Sequence, residues 1–165
     1  MINYPAVPPG VGSKPMIERI KRYFSTHLDP DKGAGGPPAR LRLATAALLL
    51  EVTRADFAAE GVERRTVVAL LRRRFQLDAA ALDDLLELAD AALRDSVSLY
   101  PFTRLINQHY TQEQKRELLE CLWRVAFADG TLDKYEDHLI RTLADLIHLP
   151  HADFIRTKLR VQESR

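Results

Sequence analysis

The sequence is short of the residues that staple a fold or ligate soft metals: 165 residues include one cysteine, one tryptophan and five histidines. A lone Cys121 excludes a disulfide framework and argues against a cysteine-based zinc site, which suits a reducing compartment. It lies among Leu118, Leu119, Leu122 and Val125, so it reads as a small buried hydrophobe. Long hydrophobic runs are also missing. The longest, LATAALLL at 43–50, is too short to span a bilayer and reads as a core helix. The first forty residues lack the apolar stretch of a signal peptide, so the expected compartment is the cytoplasm. Nor does charge of one sign dominate, since the formal net charge is +1. Residues 1–42 hold seven basic and three acidic side chains, and residues 43–165 hold seventeen and twenty. That basic arm is too thin to argue for a nucleic-acid groove. Strand-like alternation is absent.

What is present is helical. Residues 1–15, MINYPAVPPGVGSKP, are rich in proline and glycine and are expected to be disordered. GVGSK within them has one spacing too few for a phosphate-binding loop, and no strand precedes it. Met16 opens a helical pattern, and it reads equally as a natural start with an extension upstream. Ile17, Ile20, Phe24 and Leu28 fall at helical spacing, with Arg19, Lys21 and Arg22 between them. This basic amphipathic helix suits a bundle cap or, as the rarer use, a membrane surface. DPDKGAGGPP, at 29–38, reads as a linker. The pattern then predicts helices over 39–57, 62–76, 79–96, 101–109, 112–128, 133–148 and 151–162. Pro101 is expected to keep Tyr100 out of its helix. Thr111 with Gln114 has the form of a capping box, and Pro150 suits a helix start. The fold expected is all-α. It is a helical bundle of two pseudo-repeated three-helix units, about 45–96 and 112–163, within a domain over 39–165.

The repeat rests on a shift of 73 residues. Val52, Ala55, Asp56, Glu63 and Leu70 fall on Val125, Ala128, Asp129, Glu136 and Leu143. After a one-residue deletion, Leu77 and Ala80 fall on Leu149 and Ala152. The carboxylates are the telling part, because an Asp followed by a Glu seven residues on recurs at one point of both apolar patterns. On an unbroken helix seven residues rise roughly 10.5 Å, too far for two carboxylates to share an ion directly. A break at Gly130 lets Glu136 swing back toward Asp129. Asp56, Glu63, Asp129 and Glu136 then become a candidate four-carboxylate metal set along the line where the halves meet. Such a cluster repels itself in a low dielectric and needs a cation, water or a shared proton. Oxygen-only ligands favour Ca²⁺, Mg²⁺ or Mn²⁺ over Zn²⁺.

A plainer reading stands beside it. Asp133-Lys134-Tyr135-Glu136 has the D-x-x-E form, in which Asp133 caps a helix and Glu136 reaches back to a free N–H. That leaves Asp56 and Asp129 without a role. An EF-hand also has to be weighed. DGTLDKYE fits its back half, with Asp129, Gly130, Leu132, Asp133 and Glu136 at loop positions five, six, eight, nine and twelve. Val125 and Phe127 would then fill positions one and three, where they supply no carboxylate, so a full EF-hand is rejected. His138 reads as a surface residue, and His148 and His151 lack a third ligand. No nucleophile–base pairing or hydrolase motif occurs, so no catalytic residue is expected.

The stretch LWRVAFADGTLDKYEDHLIRTLADLIHLPHADFIRTKL, at 122–159, resembles the TerB-like family. That is the tellurite-resistance-associated helical domain, found also at the front of some membrane-anchored J-domain co-chaperones. The shared features are an apolar helix ending in Ala128-Asp129-Gly130, a short spacer, and Glu136 in the next helix. MIERIKRYF and the weaker first copy extend the likeness over 16–162, though Ala55-Asp56 is followed by Phe57 where the family pattern has Gly. The resemblance implies an all-helical duplicated bundle in a bacterial stress-response setting, often at the inner membrane face. It also implies an acidic cluster that chelates a metal, onto which Asp129 and Glu136 carry over directly, and Asp56 and Glu63 through the repeat. The expected function is a non-enzymatic accessory module that binds a divalent ion and protein partners. The alternative is a metal-free protein-interaction or membrane-face scaffold.

Overall fold

A computed structural model describes residues 36–55 and 60–165. The expected disordered segment 1–15, the helix at 16–28 and Asp56 lie outside the described residues. The chain divides into two compact units, Met1–Ala39 and Arg40–Arg165, and the second holds almost everything described. Among the described residues there are seven helices and no strand. They are α1 Gly36–Arg54, α2 Glu60–Phe75, α3 Ala79–Asp95, α4 Tyr100–His109, α5 Gln112–Ala126, α6 Lys134–Leu146 and α7 His151–Glu163. None is long and apolar enough to cross a membrane.

The LATAALLL run falls in α1 and is buried on every side. Ala44, Ala46, Ala47, Leu48, Leu49, Leu50 and Val52 are all at or below 1% exposure. A helix apolar all round belongs in a core, and its small alanines let neighbours approach. α1 starts at Gly36, inside the stretch expected to be linker. Pro37 and Pro38 then occupy the first turn, where a missing N–H costs no intrahelical bond.

The other helices are amphipathic. α3 is capped by Asp78, whose side chain accepts from the Ala81 N–H at 2.8 Å, and it buries Leu82, Leu85, Leu86 and Leu93. α5 begins with the capping box between Thr111 and Gln114, and both reciprocal bonds are made. It buries Leu118, Leu119, Leu122 and Trp123, and it packs along α7. The Trp123 ring lies 5.1 Å from that of Phe154 on α7 and 5.9 Å from that of Phe127. Each such side chain contributes about 1.5–3 kcal/mol through burial. The Asp137–Lys158 pair, at 2.6 Å, ties α6 to α7.

Two expectations need correcting here. Tyr100 is the first residue of α4, with Pro101 behind it in the first turn. The restriction that proline places on its predecessor is outweighed where the helix is only beginning. Cys121 is half-buried rather than fully enclosed. It sits toward the rim of α5, beside Arg74, Glu117 and Glu120.

The ends of the helices show a local likeness at the offsets read from the sequence. After α1 the Ala55 N–H donates to the Val52 carbonyl, and after α5 the Ala128 N–H donates to the Val125 carbonyl, each at 3.2 Å. Gln76 after α2 and His148 after α6 have φ of 51° and 60°, the only non-glycine residues in the left-handed region among those described. Asp78 and Pro150 then take the cap positions before α3 and α7.

Candidate functional site

The acidic loop starts where α5 runs out. Phe127 is the C-cap of α5, and the Gly130 N–H donates back to the Phe127 carbonyl at 3.0 Å. Gly130 has φ of 92°, a conformation that costs a side-chain-bearing residue strain, so glycine makes the break that the sequence suggests. The space beside it is not the constraint, since an added Cβ would meet only the Arg165 side chain at 3.5 Å.

Asp129 is half-buried, and its two oxygens accept from the Thr131 N–H at 3.0 Å and the Thr131 hydroxyl at 3.3 Å. The carboxylate therefore shapes the turn. Asp133 caps α6 by accepting from the Tyr135 N–H at 2.6 Å, as the D-x-x-E reading expects. The second half of that reading fails. Glu136 makes no reciprocal bond to the Asp133 backbone, and its side chain is wholly buried at 0% exposure.

Glu63, its counterpart 73 residues upstream, is also at 0% exposure, in the first turn of α2. Both helices pack against α5. Glutamate is seldom fully buried unless something compensates its charge, so two in one small domain are unusual. The helix N-termini to which they belong supply part of that compensation. Among the described residues, no group of three or more His, Cys, Asp or Glu side chains is placed to hold one ion. Glu63, Asp129 and Glu136 thus do not form a three-ligand cage by themselves, and Asp56 is the member outside the described residues. The histidines add nothing to this set: His138, His148 and His151 are all exposed.

Sequence reasoning passed over a second feature, the arginines of α2. Residues 43–165 carry a near balance of charge, which hides the fact that EGVERRTVVALLRRRF contains five arginines in one helix. Counting charge helix by helix would have found it.

The family model described as tellurite resistance protein TerB matches residues 42–159, well over half of the chain. No curated protein and no solved structure matches.

Proposed function

This chain belongs to the TerB family, and from that premise we propose that it is a divalent-cation-binding accessory module with no reaction of its own. In this reading Asp56, Glu63, Asp129 and Glu136 supply oxygen ligands to one Ca²⁺, Mg²⁺ or Mn²⁺ ion, which joins two similar halves of the bundle and draws together carboxylates that, among the described residues, form no cage without it. The module works in the cytoplasm, in a stress-response setting, through protein partners. The observation that carries the reading is the complete burial of Glu63 and Glu136 at matched places in the chain. Two glutamates held away from water in corresponding first turns suit a bound cation better than they suit surface charge.

A metal-free scaffold is the second reading. It is favoured by the bonds that Asp129 and Asp133 already make within the loop, which give both acids a structural task without any ion. Elemental analysis of the full chain, purified without chelator and dialysed against metal-free buffer, separates the two. About one divalent ion per chain, lost in Asp129→Asn with Glu136→Gln, is the expected outcome. A chain free of metal that also fails to take up added Ca²⁺, Mg²⁺ or Mn²⁺ would leave the scaffold reading in its place.

A further inference from the structure

A groove of about 580 Å³ runs along the outer side of α2. Its α2 wall is a stripe at helical spacing, Val62, Arg65, Ala69 and Arg73. These span three turns, or roughly 16 Å. The opposite wall is formed where α5 and α7 end, by Arg124 and Arg165. Among the described residues, every ionisable side chain lining the groove is an arginine, with two on each wall.

These four arginines differ from their neighbours. Arg64, Arg74 and Arg160 pair with Asp90, Glu117 and Glu120. Arg65, Arg73, Arg124 and Arg165 are exposed and form no ion pair among the described residues. Arg165 instead lies over the Phe127 ring, 5.2 Å from its centre, which holds its charge at the groove edge. The bias is local. The next groove along α2 shares Arg73 and Arg124 but also contains Glu117 and Glu120. Between the charged rims the floor is apolar and closely packed, with Phe127 at 6% and Val161 at 2% exposure.

We propose that this groove docks an acidic amphipathic helix of a partner protein, its apolar stripe on the floor and Asp or Glu side chains on both flanks meeting the four guanidiniums. A helix laid in a groove is a recurring mode of recognition, and three turns is the length over which it sets its anchors. Arginine suits the rims because its planar fork pairs with carboxylates through two hydrogen bonds. A groove walled on two sides, by α2 and by the ends of α5 and α7, suits an inserted helix better than a flat bilayer. The inference deepens the partner half of the proposed function and does not depend on the cation.

The test is fluorescence anisotropy on the full chain. Its probe is a fluorescein-labelled peptide of about sixteen residues with leucines at i, i+4, i+7 and i+11 and glutamates beside them. The control is the same composition scrambled to remove the helical period. Saturable binding is expected, at least tenfold tighter than for the control and falling with added salt. Arg65→Glu with Arg73→Glu should weaken it tenfold or more. Both side chains are exposed, so an unchanged melting curve should confirm that the double variant folds. Equal binding of the two peptides, or binding unmoved by the double variant, would overturn the proposal. So would flotation with phosphatidylglycerol vesicles that the double variant abolishes, because the surface would then be a membrane contact. Calcium uptake measured on the same double variant keeps the two failures apart, since it should be unaffected.

Discussion

Lys115 is a buried charge outside the acidic set. It lies near the start of α5 at 5% exposure, and burial lowers its pKa from the ordinary lysine value of 10.5. A cation near a helix N-terminus also opposes the helix dipole. Because the folded chain binds this proton less tightly than the unfolded chain, the group destabilises the fold at neutral pH. The penalty is fully present below the folded pKa and is relieved as pH rises toward 10.5. Lys115→Met, which keeps the buried stem and removes the charge, is expected to raise stability at pH 7 by about 1 kcal/mol. In urea titrations the parent chain is expected to gain stability as pH rises toward 10.5, and that rise should disappear in the variant. Cys121 behaves in a related way. Burial is the main reason its thiol is pushed above its ordinary value, with Arg74 and Arg124 opposing, so the reactive thiolate is scarce. Iodoacetamide should modify it roughly tenfold more slowly at pH 7.5 in the folded chain than in urea. Equal rates would show that the thiol is open to solvent.

At the scale of the helices, the turn after α6 offers a clear test. The Leu149 N–H donates to the Ala144 carbonyl at 3.0 Å and the His148 N–H donates to that of Asp145 at 3.1 Å. That is the left-handed helix end in which glycine is usual, yet His148 occupies it with φ of 60°. His148→Gly is therefore expected to stabilise the chain by about 0.5–1 kcal/mol, read as a higher midpoint in denaturant. Asp133→Ala should do the reverse, costing about 1 kcal/mol as the Tyr135 N–H loses its acceptor. Most of this layer was legible in the sequence. The seven expected helices stand within about three residues of those observed, because period, caps and prolines act locally. The misses also have local causes. α1 starts early because prolines fit a first turn, and the expected 133–148 helix gives up Asp133 to its cap and 147–148 to the turn. The local pattern allows Glu136 to be a cap partner or a ligand, and its complete burial depends on the rest of the bundle, which no local pattern encodes.

For the molecule as a whole, the acids were legible as residues and not as a site. The repeat singled out Glu63 and Glu136, and the structure buries both. Spacing along the chain could not say which carboxylates would be spent inside the loop. Asp129 is engaged with Thr131, and that takes a folded turn to see. The arginine groove was hidden for the opposite reason, since its two walls come from α2 and from the far ends of α5 and α7. If a cation joins the acidic set, it binds the folded chain alone and stabilises it by mass action. At a hundredfold excess over the dissociation constant this contributes about 2.7 kcal/mol. The melting temperature should then rise by about 5 °C or more over that in EDTA. The central claim is tested most directly by isothermal titration of the full chain with Ca²⁺, Mg²⁺ and Mn²⁺, beside Glu63→Gln and Glu136→Gln variants that still fold. One saturable site per chain, lost in each variant, is the predicted result. No binding by any of the three ions, or binding that both variants retain, would contradict it.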